Sequence, residues 1–95
     1  MDYEIKQREL RVRLIRDFNL LTARRVEKLA NEADTVAIDL SRSKIVDSVA
    51  IVTLHRLVSS GKKVTLVNPP KIFGEAVRVL GLDDILKLDE LVVNK

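Results

Sequence analysis

Short apolar runs of strand length alternate along this chain with longer segments whose apolar residues recur at helical spacing. Thr35–Ile38 and Val64–Val67 are apolar runs that suit buried parallel strands. Between them, residues from Ala50 to Val58 place apolar side chains along one broad side of a helix. Strand–helix–strand alternation favours parallel strands joined by right-handed crossovers. The sequence therefore predicts an α/β fold with a mostly parallel sheet.

Further elements flank this central unit. Leu10–Ile15 alternates apolar and basic residues with a period of two, which indicates a strand, and Tyr3–Lys6 is a shorter strand ahead of it. A helix capped by Asn19 or Thr22 precedes the central unit. Another helix begins near Pro70 and ends at Gly81, before a last strand at Ile85–Leu88. The predicted order is ββαβαβαβ, with three helices and a sheet of four to five strands.

Length and composition limit what this fold can hold. A chain of 95 residues is long enough for one hydrophobic core and too short for two, so we expect a single domain over residues 1–95. The 46% of apolar residues, with only 3 Gly and 2 Pro, indicates that the chain folds. The longest stretch without a charged residue, Ser48–His55, is far shorter than the roughly 18 to 20 residues of a membrane-spanning helix. The N-terminal residues do not resemble a signal peptide. We expect a cytoplasmic protein.

Residues that could carry chemistry are sparse. Cysteine is absent and histidine occurs once, which excludes disulfide frameworks, zinc clusters and thiolate nucleophiles. Asp47, Ser48 and His55 have the residue types of a hydrolase triad. However, seven residues of helix separate Ser48 from His55 by about 10 Å along the axis, whereas a nucleophile and its base lie about 3 Å apart. No glycine-rich phosphate loop occurs. The sequence predicts a protein that is not an enzyme and has no cofactor or metal.

Basic residues raise a nucleic-acid-binding alternative. The formal net charge is +3, and its excess lies in the first 30 residues. Five arginines could line such a surface: Arg8, Arg11, Arg13, Arg24 and Arg25. Only three aromatic residues are available to stack on bases, so nucleic acid is the less favoured partner.

Four ordered motifs carry a resemblance to a known family. They are Asp39-Leu40-Ser41, Asp47-Ser48 at the start of an apolar helix, the run from Gly61 to Val67, and the run from Leu80 to Leu86. Together they resemble the STAS domain family over roughly Thr22 to Leu88. That family includes anti-sigma factor antagonists and the cytoplasmic tails of sulfate transporters. The resemblance implies a small sheet with helices packed against it, in agreement with the predicted element order.

The resemblance also implies a function. In anti-sigma factor antagonists, the serine matching Ser48 is phosphorylated by a partner kinase that is also the anti-sigma factor. It implies a regulatory, protein-binding module that docks a kinase or ATPase through the Ser48 helix and is switched by phosphorylation of Ser48. The residues expected to contact the partner are Asp39, Ser41, Asp47, Ser48, Val49, Ile51 and Val52.

Two alternatives stay open at this stage. Asp47 or Ser48 caps the helix, and Ser48 could act only as this N-cap, a role worth about 1 kcal/mol that explains Asp-Ser by itself. Short stand-alone STAS proteins also serve as accessory subunits of the ATPase of phospholipid-trafficking ABC transporters. That branch tolerates variation at the phosphoacceptor. Family members commonly follow the Asp-Ser pair with a small residue and a glycine, whereas this sequence has Val49-Ala50. We expect a monomer, because Arg11 and Arg13 discourage pairing of an exposed Leu10–Ile15 edge.

Overall fold

The computed structural model describes residues 1–15, 17–43, 46–83 and 86–94 of the chain. Within the last range, only the backbone of Leu88 and Asp89 is described. The strands are β1 (Asp2–Lys6), β2 (Glu9–Arg13), β3 (Thr35–Asp39), β4 (Lys63–Val67) and β5 (Val92–Val93). The helices are α1 (Leu20–Ala30), α2 (Ser48–Ser59), α3 (Lys71–Val79) and the four-residue α4 (Leu88–Leu91). The predicted ββαβαβαβ order is confirmed, with α4 inserted before the last strand.

The five strands form one sheet in the order β1-β2-β3-β4-β5. β1 and β2 are antiparallel, whereas the β2–β3, β3–β4 and β4–β5 pairs are parallel, so the predicted mostly parallel sheet is confirmed. Each crossover joins neighbouring strands, and right-handed crossovers of this kind place their helices on one face. Burial agrees with this arrangement, because Leu10 and Val12 of β2 are buried while Arg11 and Arg13 are exposed. The opposite face of the sheet carries charged side chains from β1 and β2 together with Ala37 and Val67 from β3 and β4.

The core lies between the sheet and the helices. Its largest fully buried side chains come from every part of the chain and are Phe18, Phe73, Leu10, Leu14, Ile38, Leu40, Ile51, Leu54, Leu66, Leu86, Val26 and Val36. These residues form one contiguous cluster. Removing this apolar surface from water, at about 25 cal/mol per Å², is the main driving force for the fold.

Local signals fix the ends of the helices. Asn19 caps α1 through a reciprocal pair of hydrogen bonds with Thr22, in which each backbone N–H donates to the other residue's side-chain oxygen at 3.0 and 3.1 Å. Beyond α2 and α3, Gly61 (φ +89°) and Gly81 (φ +69°) adopt the left-handed conformation that glycine tolerates best. Pro70 is the N-cap of α3, one position before the first helical residue.

Two predictions about strands need correction. The last strand lies at Val92–Val93; of the predicted Ile85–Leu88, Ile85 is outside the described residues and Leu88 begins α4. The backbone N–H of Leu91, the last residue of α4, donates to the Lys87 carbonyl at 3.1 Å. The predicted exposed edge at Leu10–Ile15 is also wrong, because β2 lies between β1 and β3. The edge strand on that side is β1.

Candidate docking site at the start of α2

The start of α2 is held against the loop that follows β2. The backbone N–H of Asp47 donates to the carbonyl of Phe18 at 2.9 Å, and Phe18 forms a parallel bridge with Val46. The side chains of Phe18 and Val46 are both buried. These two buried side chains therefore hold the start of α2 in place, at the end of the sheet where β3 stops.

Asp47 is the N-cap of α2, and Ser48 is the first residue of the helix. The Asp47 carboxylate accepts a hydrogen bond from the backbone N–H of Val49 at 3.2 Å, and the Asp47 backbone is extended (φ −77°, ψ 142°). The capping role considered for Ser48 thus belongs to Asp47. Ser48 is exposed, and its hydroxyl makes no hydrogen bond to any described residue. That hydroxyl is consequently open to modification or to a partner.

The turn after β3 brings two further predicted residues to the same end of the sheet. Asp39 ends β3, and its carboxylate accepts a hydrogen bond from the backbone N–H of Ser41 at 2.9 Å. The next residue after Asp39, Leu40, is buried and donates its N–H to the carbonyl of Val67. Ser41 is exposed, whereas Asp39 is half-buried and lies 4.0 Å from the Arg13 guanidinium. Asp39 therefore shapes the turn, and Ser41 offers the accessible polar group.

The apolar residues of α2 divide into a buried and an exposed set. Val49 and Val52 are 42% and 43% exposed. Ile51, which the sequence placed among the partner contacts, is fully buried, because its position on the helix faces the sheet. Ile51 supports the helix from within and cannot touch a partner. The other predicted residues are the exposed Ser41, Ser48, Val49 and Val52 and the half-buried Asp39 and Asp47, and we call these six residues the α2-start surface.

Sequence reasoning missed other apolar side chains near this surface. Ile15 follows β2, and Leu20 and Leu21 open α1; all three are exposed. They lie at the carboxyl end of the parallel strands, where α2 also begins, because α1 and α2 follow neighbouring parallel strands. The sequence could have revealed the two leucines. The buried residues of α1 are Ala23, Val26 and Ala30, and Leu20 and Leu21 precede them in the first turn of the helix.

An ion pair with two hydrogen bonds lies at the other end of the sheet. The guanidinium of Arg8, in the turn between β1 and β2, forms two hydrogen bonds with the carboxylate of Asp34 at 2.8 and 3.1 Å. The hydrogen bond from Arg8 lowers the pKa of Asp34 and raises the pKa of Arg8. Asp34 immediately precedes β3, so this pair marks the amino ends of the parallel strands and does not act on the α2-start surface.

The described residues offer little else for chemistry. The Nε2 atom of His55 lies 3.4 Å from the Ser59 hydroxyl, one turn further along α2 and away from Ser48. Within the described ranges, no group of three or more His, Asp or Glu side chains could hold a metal ion. None of the helices described there is long and apolar enough to cross a membrane.

The comparisons with known proteins agree with the fold. The chain is similar in structure to the anti-sigma factor antagonist SpoIIAA in its unphosphorylated form, with a TM-score of 0.70 and 14% sequence identity over 99% of this chain and 86% of that one. At that identity the likeness shows the fold. No curated protein matches the chain significantly. The family model described as "Mlab, STAS domain" matches residues 1–92. The chain therefore belongs to the STAS domain family.

Proposed function

We propose that this STAS domain is a non-enzymatic regulatory module that binds a nucleotide-using protein, a serine kinase or an ATPase, through its α2-start surface. One observation carries the proposal: Ser48 is exposed, and its hydroxyl bonds to no described residue. It lies beside the exposed Val49 and Val52, at the start of a helix that Asp47 caps. Exposed apolar residues beside a polar group are typical of protein contacts. Because such partners consume ATP, we assign the function to the cytoplasm.

Phosphorylation of Ser48 would act as the switch. A phosphate adds a charge of about −1.5 to −2 at the first residue of α2, where free backbone N–H groups and the helix dipole favour anions. The fold should therefore tolerate the modification. A partner seated on Val49 and Val52 would have to desolvate that phosphate next to the Asp47 carboxylate. A loss of about 2.8 kcal/mol already weakens binding a hundredfold.

The docking surface can be tested with matched valine variants. Val52→Asp places a charge in the α2-start surface, and Val79→Asp places the same charge on α3, where Val79 is 86% exposed. Affinity capture from native lysate followed by mass spectrometry identifies the partner, and titration calorimetry with that purified partner then measures each variant. We expect Val52→Asp to lose binding and Val79→Asp to keep it. Equal affinities for the two variants would refute docking through this surface.

The switch is tested separately at Ser48. With the same partner, we expect Ser48→Ala to bind like the wild type and Ser48→Glu to bind at least about tenfold more weakly. Mass spectrometry of the captured protein reports whether Ser48 carries phosphate. If both variants keep wild-type affinity while Val52→Asp loses it, the switch is refuted but the docking surface is retained.

A second candidate function is a constitutive accessory subunit of an ABC transporter ATPase. It is supported by the match to the family described as "Mlab, STAS domain" and by Val49-Ala50 after Ser48. Both side chains add bulk where a kinase would have to approach the backbone closely. This candidate uses the same α2-start surface without modification. An ATPase as the captured partner, with equal affinities for Ser48→Ala and Ser48→Glu, would favour it over the switch.

The arrangement of the arginines argues against a nucleic-acid function. Arg8, Arg11 and Arg13 each lie within ion-pair distance of a carboxylate, on Asp34, Glu9 and Asp39 respectively. Arg24 and Arg25 lie on α1, away from the sheet face that carries Arg11 and Arg13. The five cations thus form no single stripe. Binding to duplex DNA that weakens steeply with salt would overturn this conclusion.

A further inference from the structure

The outer edge of β1 presents a charge pattern that is complementary to itself. β1 reads Asp2-Tyr3-Glu4-Ile5-Lys6, and among the described strands it has a neighbour, β2, on one side only. When two copies of this sequence run antiparallel about Glu4, each Asp2 lies opposite a Lys6 and each Tyr3 lies opposite an Ile5. Opposite charges and apolar residues placed directly across from each other stabilise strand pairing.

The turn between β1 and β2 determines which backbone groups face that edge. Gln7 and Arg8 both have positive φ, +52° and +62°, as in a two-residue type I′ turn. In such a hairpin, the flanking residues Lys6 and Glu9 form a hydrogen-bonded pair, and hydrogen-bonded pairs then alternate along the ladder. Glu4 therefore bonds to β2. The N–H and C=O groups of Tyr3 and Ile5 point outward.

We propose that β1 pairs with β1 of a second copy of this chain, with the two-fold axis at Glu4. Tyr3 of one copy and Ile5 of the other then form a hydrogen-bonded pair, which occurs twice and gives four backbone hydrogen bonds. The two five-stranded sheets join into one ten-stranded sheet, with the helices of both copies on the same face. Tyr3, 50% exposed, and the half-buried Ile5 cover each other across the new contact.

The other two-fold registers give either repulsive charge pairs or fewer backbone hydrogen bonds along this edge. Pairing about Tyr3 places Asp2 opposite Glu4 in both halves, which is repulsive. Pairing about Ile5 places Glu4 opposite Lys6, which is favourable, but it places Tyr3 opposite Gln7, a turn residue, so that only the two hydrogen bonds between the Ile5 residues remain. Pairing about Glu4 brings the two Glu4 side chains together. Each of them already lies opposite an Arg11 in its own sheet, whose guanidinium bonds Glu9 and also attracts Glu4, so that cation offsets part of the repulsion.

Cysteine cross-linking tests this register, because the chain has no cysteine of its own. In the proposed dimer, the two residues at position 4 form a non-hydrogen-bonded pair with a Cα separation of about 4.5 Å, within the range for a disulfide. The two residues at position 2 lie about 14 Å apart, four residues out of register. We expect Glu4→Cys to form a disulfide-linked dimer under mild oxidation and Asp2→Cys not to do so. Equal cross-linking of the two variants, or none, would overturn the proposal.

A proline variant tests whether the chain also dimerises through β1 without an introduced cysteine. Tyr3→Pro removes an N–H that points outward and leaves the bonds between β1 and β2 intact, as proline at a strand edge does. In sedimentation equilibrium, we expect wild type and the control Tyr3→Val to show a concentration-dependent monomer–dimer equilibrium and Tyr3→Pro to remain a monomer, with circular dichroism confirming that each is folded. Wild type that stays monomeric up to about 1 mM would overturn the proposal.

Discussion

Replacing Asp47 and Ser48 separately tests whether the hydroxyl at the proposed switch is free of a structural duty. In the structure, the Asp47 carboxylate accepts the Val49 N–H, whereas the Ser48 hydroxyl makes no bond to any described residue. Loss of an N-cap side chain costs about 1 kcal/mol, within a range of about 0.5 to 2. In a domain of this size, each kcal/mol lowers the melting temperature by about 4 to 8 °C. We therefore expect Asp47→Ala to melt several degrees below the wild type.

Ser48 variants should behave differently. Ser48→Ala changes an exposed side chain outside the cap, so its free energy of unfolding should stay within about 0.5 kcal/mol of the wild type. Ser48→Glu places a negative charge in the first turn of α2, which should stabilise the protein by about 0.3 to 1 kcal/mol. The same variant is expected to lose the partner. Stability and binding should thus change in opposite directions at this position.

Thermal unfolding followed by far-UV circular dichroism measures these differences. Asp47→Asn is the matched control, because asparagine caps a helix as well as aspartate does but carries no charge. If Asp47→Asn melts near the wild type and Asp47→Ala does not, the hydrogen bond to Val49 carries the effect. A loss for Ser48→Ala as large as that for Asp47→Ala would show that Ser48 is the cap, and the reasoning for a free hydroxyl would fail.

Three further predictions concern the fold. Ile51→Ala should cost about 2 to 5 kcal/mol in urea unfolding, because Ile51 is fully buried, whereas truncating the exposed Val52 should cost far less. Gly61→Ala should cost about 1 to 2 kcal/mol through its positive φ alone, since no atom lies within 4 Å of the added methyl group; a cost near zero would contradict this. Arg8 lowers the pKa of Asp34 in the folded state, so the contribution of Asp34 to stability is present above about pH 4 and is lost as the pH falls through that lowered pKa. The free energy of unfolding of Asp34→Asn should therefore fall less steeply than that of the wild type as the pH is lowered below about 4.

The central strands could be predicted from the sequence because each one is marked by its own run of apolar residues. β3 and β4 are short apolar runs between helices, and their boundaries fall within a residue of those predicted. The last strand was misplaced because an alternation of four residues at Ile85–Leu88 carries too little periodic signal. Leu86 is fully buried there, and its N–H donates to the Leu82 carbonyl at 2.7 Å and not to a neighbouring strand, so burial of a leucine produced the pattern read as a strand.

The candidate site was predicted in position but not in detail. The Asp-Ser pair located the start of α2, yet only coordinates distinguish which of the two side chains reaches the Val49 N–H. Likewise, Ile51 and Val52 are both apolar, and one helix position separates a core residue from an exposed one. The identity of the edge strand was also out of reach, because strand neighbours depend on tertiary topology and leave no local signal in β1 or β2.

The two proposed contacts are compatible because the topology separates them. β1 lies two strands away from β3, whose carboxyl end carries the α2-start surface. A two-fold axis through Glu4, perpendicular to the sheet, reverses the strand direction between copies. The two α2-start surfaces therefore face opposite ends of the ten-stranded sheet, and five strand spacings alone separate them by roughly 24 Å across the sheet. Each copy would bind its own partner, so dimerisation should neither block docking nor raise the affinity for a single partner molecule through avidity.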